Sequence, residues 1–174
     1  NLQTLKELLE DSTYDDFGGQ VIPAAIKSHD VFGYGFDGYW EDIGTIRSFY
    51  ETNLALTIPN PPFDFFDPDR PVYTHARFLP GSTEQDSHLQ NVLMAEGCCI
   101  HKAEIYHSVI GLRSQIHNDV CIRDSIVMGS DYYDHPGFEP TDPNVVNIAI
   151  GRGSQIEGAI IDKNARIGRG VVIK

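Results

Sequence analysis

Two carboxylates stand side by side at Glu41 and Asp42, in the segment Gly38–Ile46 (GYWEDIGTI) that also holds the single tryptophan, Trp40. Successive residues of an extended chain point to opposite faces, so one of the pair can enter a cleft while the other meets solvent. A carboxylate on a glycine-flanked turn is a hard oxygen donor of the kind Mg²⁺ takes together with substrate phosphates. Spacing alone, however, favours a solvated acidic pair. His101, His107 and His117 offer imidazoles for general-base work, although spacing alone reads them as solvated side chains. Cys98, Cys99 and Cys121 are odd in number and lack metal-ligand spacing. They read as small buried residues of a reducing compartment.

The charge balance narrows the partners. A formal net charge of -12 over 174 residues repels phosphate backbones, so no nucleic acid is expected. A phosphorylated small ligand can be held only where cations converge locally. No run approaches the ~20 apolar residues of a membrane span, and no membrane partner is expected. No signal peptide is visible. The sequence opens without Met inside a helical pattern and stops at Lys174 inside a repeat, so it reads as a piece of a longer chain.

The elements that position these residues follow from periodicity. Leu2, Leu5, Leu8 and Leu9 predict a short amphipathic helix over 1–10. A turn or short helix is expected at Val21–Ile26, and a strand over the aromatic, β-branched stretch Val31–Tyr39. Thr45–Leu56 reads as a helix with Thr45 near its N-cap, ended by Pro59, Pro61 and Pro62. Residues 57–91 form a linker. Phe63, Phe65 and Phe66 are expected to pin it to a neighbouring surface.

From residue 92 the pattern changes. Ile110, Ile116, Ile122 and Met128 recur at a step of six, as do Ser114, Val120 and Ile126. Neither helix nor strand has that period. A hexapeptide repeat does, and it specifies a parallel β-helix. In the left-handed form each hexapeptide makes one side of a triangular coil of ~18 residues. Met94 and Ile100 extend the step upstream, and Ile150, Ile156, Ile161, Ile167 and Ile173 extend it downstream after slips. Ile110, Ile116, Ile122, Ile150, Ile156, Ile167 and Ile173 are expected to point inward. About four coils are predicted over 92–174, with glycines 151, 153, 168 and 170 at corners and a loop insertion at 129–147. The fold class is mainly β.

Several segments resemble the ADP-glucose pyrophosphorylases (glucose-1-phosphate adenylyltransferases). FDGYWEDIGTI and DFGGQVIPAAIK resemble the end of that family's catalytic domain. VYTHARFLPGS resembles its linker. HSVIGLRSQI, IVMGSDYY and AIIDKNARIG resemble its β-helix, in the cyanobacterial and plant small-subunit type. The resemblance implies that residues 1–56 are the C-terminal remnant of an α/β nucleotidyltransferase domain preceding the left-handed β-helix. It assigns Asp42 to the catalytic Mg²⁺ and Trp40 to the sugar nucleotide. It assigns Arg77 and Lys163 to anionic effectors, with His75 where the family commonly has glutamine. Implied partners are ATP, glucose 1-phosphate, phosphorylated effectors, phosphate and the other subunits of a homo- or hetero-tetramer. Implied locations are bacterial cytoplasm or plastid stroma. The family's glycine-rich phosphate loop is absent from these residues, so the chain by itself is expected to be inactive. The competing readings are a hexapeptide-repeat acyltransferase, another sugar-nucleotide pyrophosphorylase, or a purely structural oligomerisation module.

Overall fold

The computed structural model describes residues 2–10, 13–135 and 145–174. The chain forms two compact units, Asn1–Gly38 and Tyr39–Lys174. In the first, α1 (Leu2–Glu10) follows the leucine spacing. A π-type turn over Phe17–Val21 is capped by the Asp16 carboxylate, which accepts from the Gly19 amide. The turn runs into α2 (Ile22–Ser28), with Pro23 in the first turn, where a missing N–H costs nothing. The stretch 31–39 does not form the expected strand. Phe32, Tyr34 and Phe36 are exposed, and no neighbouring strand among the described residues takes the segment's backbone hydrogen bonds.

In the second unit, α3 (Ile46–Ala55) starts at Thr45 as expected. Thr45 Oγ1 accepts from the Ser48 amide at 3.0 Å, and Ser48 Oγ accepts from the Thr45 amide at 3.1 Å. This reciprocal cap satisfies two amides that the helix itself leaves unpaired. The linker aromatics do not pin to a surface. Phe63 and Phe65 meet edge-on at 5.1 Å, but both, and Phe66, stay largely exposed. Asp64 and Asp67 instead close local turns by accepting from the amides of Phe66, Asp69 and Arg70.

The remainder is a parallel solenoid. Its strands are β1 (Thr83–Gln85), β2 (His88–Met94), β3 (Cys99–His101), β4 (Glu104–Ile110), β5 (Gln115–Ile116) and β6 (Cys121–Arg123). They continue with β7 (Ile126–Val127), β8 (Ala149–Ile150), β9 (Gln155–Glu157), β10 (Ile160–Ile161), β11 (Arg166–Ile167) and β12 (Val172–Ile173). One face stacks β1, β3, β5, β8 and β11. The long strands β2 and β4 each turn a corner. Their first halves stack with β6, β9 and β12, and the second half of β4 stacks with β7 and then β10. The first face thus carries five strands, one per coil: four lie within 92–174, the number expected there, and a further one, β1, starts earlier at Thr83.

Coil length explains the slips in the sixfold pattern. The Cys98 amide donates to Ser82 Oγ 16 residues back, and the Ser125 amide donates to Ser108 Oγ 17 residues back. Apart from the coil that carries the insertion, the coils step by 16 or 17 residues and are shorter than three full hexapeptides. Ile100, Ile105, Ile110, Ile116, Ile122 and Ile156 are wholly buried, and Ile150 nearly so. Ile167 and Ile173, expected inward, are half-buried and pack on the core from its last coil. Met94 and Met128 keep the step of six but are exposed. Met128 lies past the end of β7, where the chain leaves the coil, and Val127 fills the core instead.

Corners use the left-handed backbone region. Asp86, Lys102, Asp119, Gly153 and Gly170 form one such column. Backbone hydrogen bonds step along it, from Lys102 to Gln85 and from Asp119 to Lys102, each 2.8 Å. Asp and Asn tolerate this region better than other non-glycine residues. The insertion adds no coil. Ile116 stacks directly on Ile150, and Ile126 directly on Ile160, so the coils on either side of the expected loop at 129–147 are adjacent; residues 136–144 of that loop lie outside the described residues.

Candidate functional site

The turn before α3 carries the first group of expected site residues. Asp42 Oδ1 accepts from the Gly44 amide at 2.9 Å, and the next residue is the Thr45 cap. The turn is therefore built by its own sequence: aspartate closes it, glycine completes it and threonine starts the helix. Asp42 is exposed, and its Oδ2 has no hydrogen-bond partner among the described residues. Trp40 is 83% exposed on the same segment. The helix that follows is tied to the solenoid. The Tyr50 hydroxyl donates to the Asp124 carbonyl, and α3 lies against β4 and β7. Burial, then the charge of Asp124, raises the Tyr50 hydroxyl above its usual pKa. Asp124 Oδ1 in turn lies 2.6 Å from His107 Nδ1.

His75 and Arg77 precede the solenoid on an exposed stretch. Arg77 Nη1 reaches the His75 carbonyl at 3.5 Å. Lys163 sits elsewhere, at a solenoid corner, and no hydrogen bond or ion pair joins it to Arg77 or His75 among the described residues. Its partner is Asp131: Nζ donates to Oδ1 at 2.8 Å. Asn164 completes the pair, donating from Nδ2 to Asp131 Oδ2 at 3.0 Å and accepting from the Asp131 amide at 2.9 Å. The hydrogen bond from Lys163, then that from Asn164, holds the Asp131 carboxyl below the usual aspartate range.

A second clasp lies alongside. Arg166 grips Asp134 through two nitrogens at 2.7 and 3.0 Å, and the Ile148 amide donates to the same carboxylate at 2.7 Å. Arg166, above all, lowers the Asp134 pKa. Tyr133 donates to the Gly97 carbonyl at 2.8 Å, with the Arg113 guanidinium 5.9 Å from its ring centre. The segment Asp131–Asp134 is thus stapled along one corner. The runs SDYY and DKNAR stand out separately in the sequence, and sequence reasoning misses that they are partners. Lys163 and Arg166 each lie 32 residues after their partners, one coil step lengthened by the insertion, so no regular spacing joins the two runs in the sequence.

The residues 77–174 match the family model of the GLGC left-handed parallel beta-helix domain, and residues 2–58 match that of the nucleotidyl transferases. The chain belongs to the ADP-glucose pyrophosphorylase family. Its solenoid is accordingly the left-handed parallel β-helix, and its N-terminal stretch is a short nucleotidyltransferase segment. In this family member the Asp42 turn falls inside the nucleotidyl transferase match, whereas Arg77 and Lys163 fall inside the β-helix match. The histidines that an acyltransferase would need are differently engaged. His101 contacts Cys99 and Gln85, and His107 contacts Asp124. His117 is exposed on a groove of about 510 Å³ shared with Arg152 and Arg169.

Proposed function

We propose that the chain is the C-terminal regulatory and oligomerisation part of a glucose-1-phosphate adenylyltransferase. That enzyme makes ADP-glucose and pyrophosphate from ATP and glucose 1-phosphate, for glycogen or starch synthesis. The observation that carries the proposal is the succession of a nucleotidyl transferase match and a GLGC β-helix match in one chain. Asp42 is the residue that would hold Mg²⁺. The fit is sound, because Mg²⁺ takes one or two protein carboxylates and leaves its other positions to water and phosphate. One Asp42 oxygen is held by the Gly44 amide and the other is open. Bound there, Mg²⁺ would neutralise charge on the phosphate oxygens. Trp40, exposed beside it, supplies a flat apolar surface for the sugar nucleotide.

Arg77, Lys163 and His75 are the proposed contacts for a phosphorylated activator and for inhibitory phosphate, in a small-subunit-type homo- or hetero-tetramer of bacterial cytoplasm or plastid stroma. The two kinds of cation suit such anions in different ways, since arginine grips phosphate through two nitrogens and lysine acts as a point charge. Residues 1–174 contain no glycine-rich phosphate loop, so turnover belongs to a protein that also supplies one. The test is the full-length enzyme with Asp42→Asn, assayed for ADP-glucose formation across a Mg²⁺ titration. A fall in kcat of ~10²-fold or more is expected. Near-normal turnover removes Asp42 from the metal site, and synthesis of UDP-glucose in preference to ADP-glucose by the wild type overturns the substrate assignment.

A further inference from the structure

Cys99 and His101 are two residues apart on β3, so their side chains leave the same side of the strand. Cys99 Sγ lies 3.1 Å from His101 Nε2. One coil below, β1 pairs in register with β3 so that Gln85 stands under His101, and Gln85 Oε1 lies 3.2 Å from His101 Nδ1. An amide oxygen can only accept, so Nδ1 carries the imidazole proton in this contact. That fixes the tautomer in which Nε2 turns a lone pair towards the thiol. A nucleophile, a base beside it and a third group orienting the base are the parts that activate a weak nucleophile. The solenoid supplies all three without any loop: two come from one strand and the third from the strand beneath.

The other two cysteines lack this arrangement. Cys98 is 2% exposed, and its Sγ lies against the carbonyls of Ala95 and Gly111 at 3.3 and 3.1 Å. Burial pushes its thiol up. Cys121 meets Arg123 Nε at 3.3 Å, a cationic donor that favours a thiolate but is not a base that can take the thiol proton. Cys99 is half-buried on the outer side of its face.

We propose that Cys99 is a modification site, an imidazole-activated thiol that exchanges with low-molecular-weight disulfides. In the exchange the Sγ–H proton passes to His101 Nε2 and the thiolate attacks one sulfur of the disulfide. A protein–small-molecule disulfide forms as the original S–S bond breaks. The departing thiolate recovers the proton from His101, so one small disulfide is consumed and one small thiol is released. No further oxidant enters. The proposal stands apart from the nucleotidyltransferase assignment, since neither Asp42 nor a phosphate ligand takes part.

The experiment treats the native chain with glutathione disulfide, quenches with acid, and maps the modified cysteines by peptide mass spectrometry between pH 5.5 and 9. Cys99 is expected to be modified in the wild type, and its rate is the reference for the variants. His101→Gln should slow Cys99 by ~10-fold and leave Cys121 unchanged. Gln85→Leu should slow it less, because the base remains but its tautomer is no longer set. Cys98 reports folding, since it stays unmodified wherever the solenoid is intact. A wild-type Cys99 that stays unmodified overturns the proposal without any variant. So does a His101→Gln rate within twofold of wild type while Cys98 remains protected.

Discussion

Replacing Ile122 with alanine should cost far more than the same change at Ile173, although both belong to one stacked column. Ile122 is 0% exposed and stacks between Ile105 below and Ile156 above. The substitution removes three carbons, each worth ~0.8 kcal/mol of transfer free energy when buried. The coils on either side hold the gap open, which adds a cavity term. The expected loss is ~3–4 kcal/mol. Ile173 is half-buried and stacks on Ile156 from one side. Its truncation gives up about half the transfer term and leaves no enclosed cavity, so ~1 kcal/mol is expected. The assay is urea denaturation followed by far-ultraviolet circular dichroism. At a slope of ~2 kcal/mol per molar urea, Ile122→Ala should lower the midpoint by ~1.5–2 M and Ile173→Ala by ~0.5 M. Equal midpoints for the two variants would refute the picture of an axial core buried from both sides at its middle.

Acid should weaken the two corner clasps. The carboxyls of Asp131 and Asp134 sit below their unfolded range, so the folded state binds fewer protons there and gains stability above the unfolded value of ~3.9. That gain disappears as pH falls through the folded pKa values, and the difference in Tm between wild type and Asp131→Asn/Asp134→Asn should be large near neutral pH and vanish in strong acid. A difference unchanged at low pH would show that the pairs do not titrate as described. Lys163→Ala in the full-length enzyme should raise the half-activating concentration of 3-phosphoglycerate roughly 10- to 100-fold, the equivalent of one charge-assisted contact. A shift within twofold makes Lys163 a structural partner of Asp131 alone. Gly129→Ala, at φ +84 with its new Cβ 2.3 Å from the Leu112 carbonyl, should cost ~3 kcal/mol or more in thermal melts. Gly153→Ala, at φ +74 in open space, should cost only ~1 kcal/mol, and equal losses would remove the steric argument.

The solenoid is legible in the sequence because an axial core imposes a period that no other element shares. Ile110, Ile116 and Ile122 report it directly, since each must be apolar and of one size. Met94 and Met128 keep the step yet are exposed, because coils of 16 or 17 residues drift out of a strict step of six. Ile105, wholly buried, falls outside the series for that reason. Glycine is the usual corner signal, yet Asp86, Lys102 and Asp119 hold left-handed backbone where three of the coils turn. Thr45 is readable because a helix cap is local chemistry. The 31–39 stretch misleads because strand propensity describes a half-buried surface, and no strand among the described residues pairs with it. The Asp42 turn is visible as a motif. The partnership of Lys163 with Asp131 is not, since it depends on a coil step lengthened by the insertion.

That insertion has a consequence for how the protein can change. Ile116 stacks on Ile150 and Ile126 on Ile160, so adjacent coils keep their register across the insertion. Extra sequence spliced there is charged mainly the entropy of closing a longer ring, which grows only with the logarithm of its length. The corner behaves as an open socket in a finished scaffold. A peptide tag, a fluorescent reporter or a recognition segment could be carried there at little cost, provided the graft spares Asp131 and Asp134. The same tolerance would let this stretch diverge quickly between related chains while the coils on either side stay fixed in number and register.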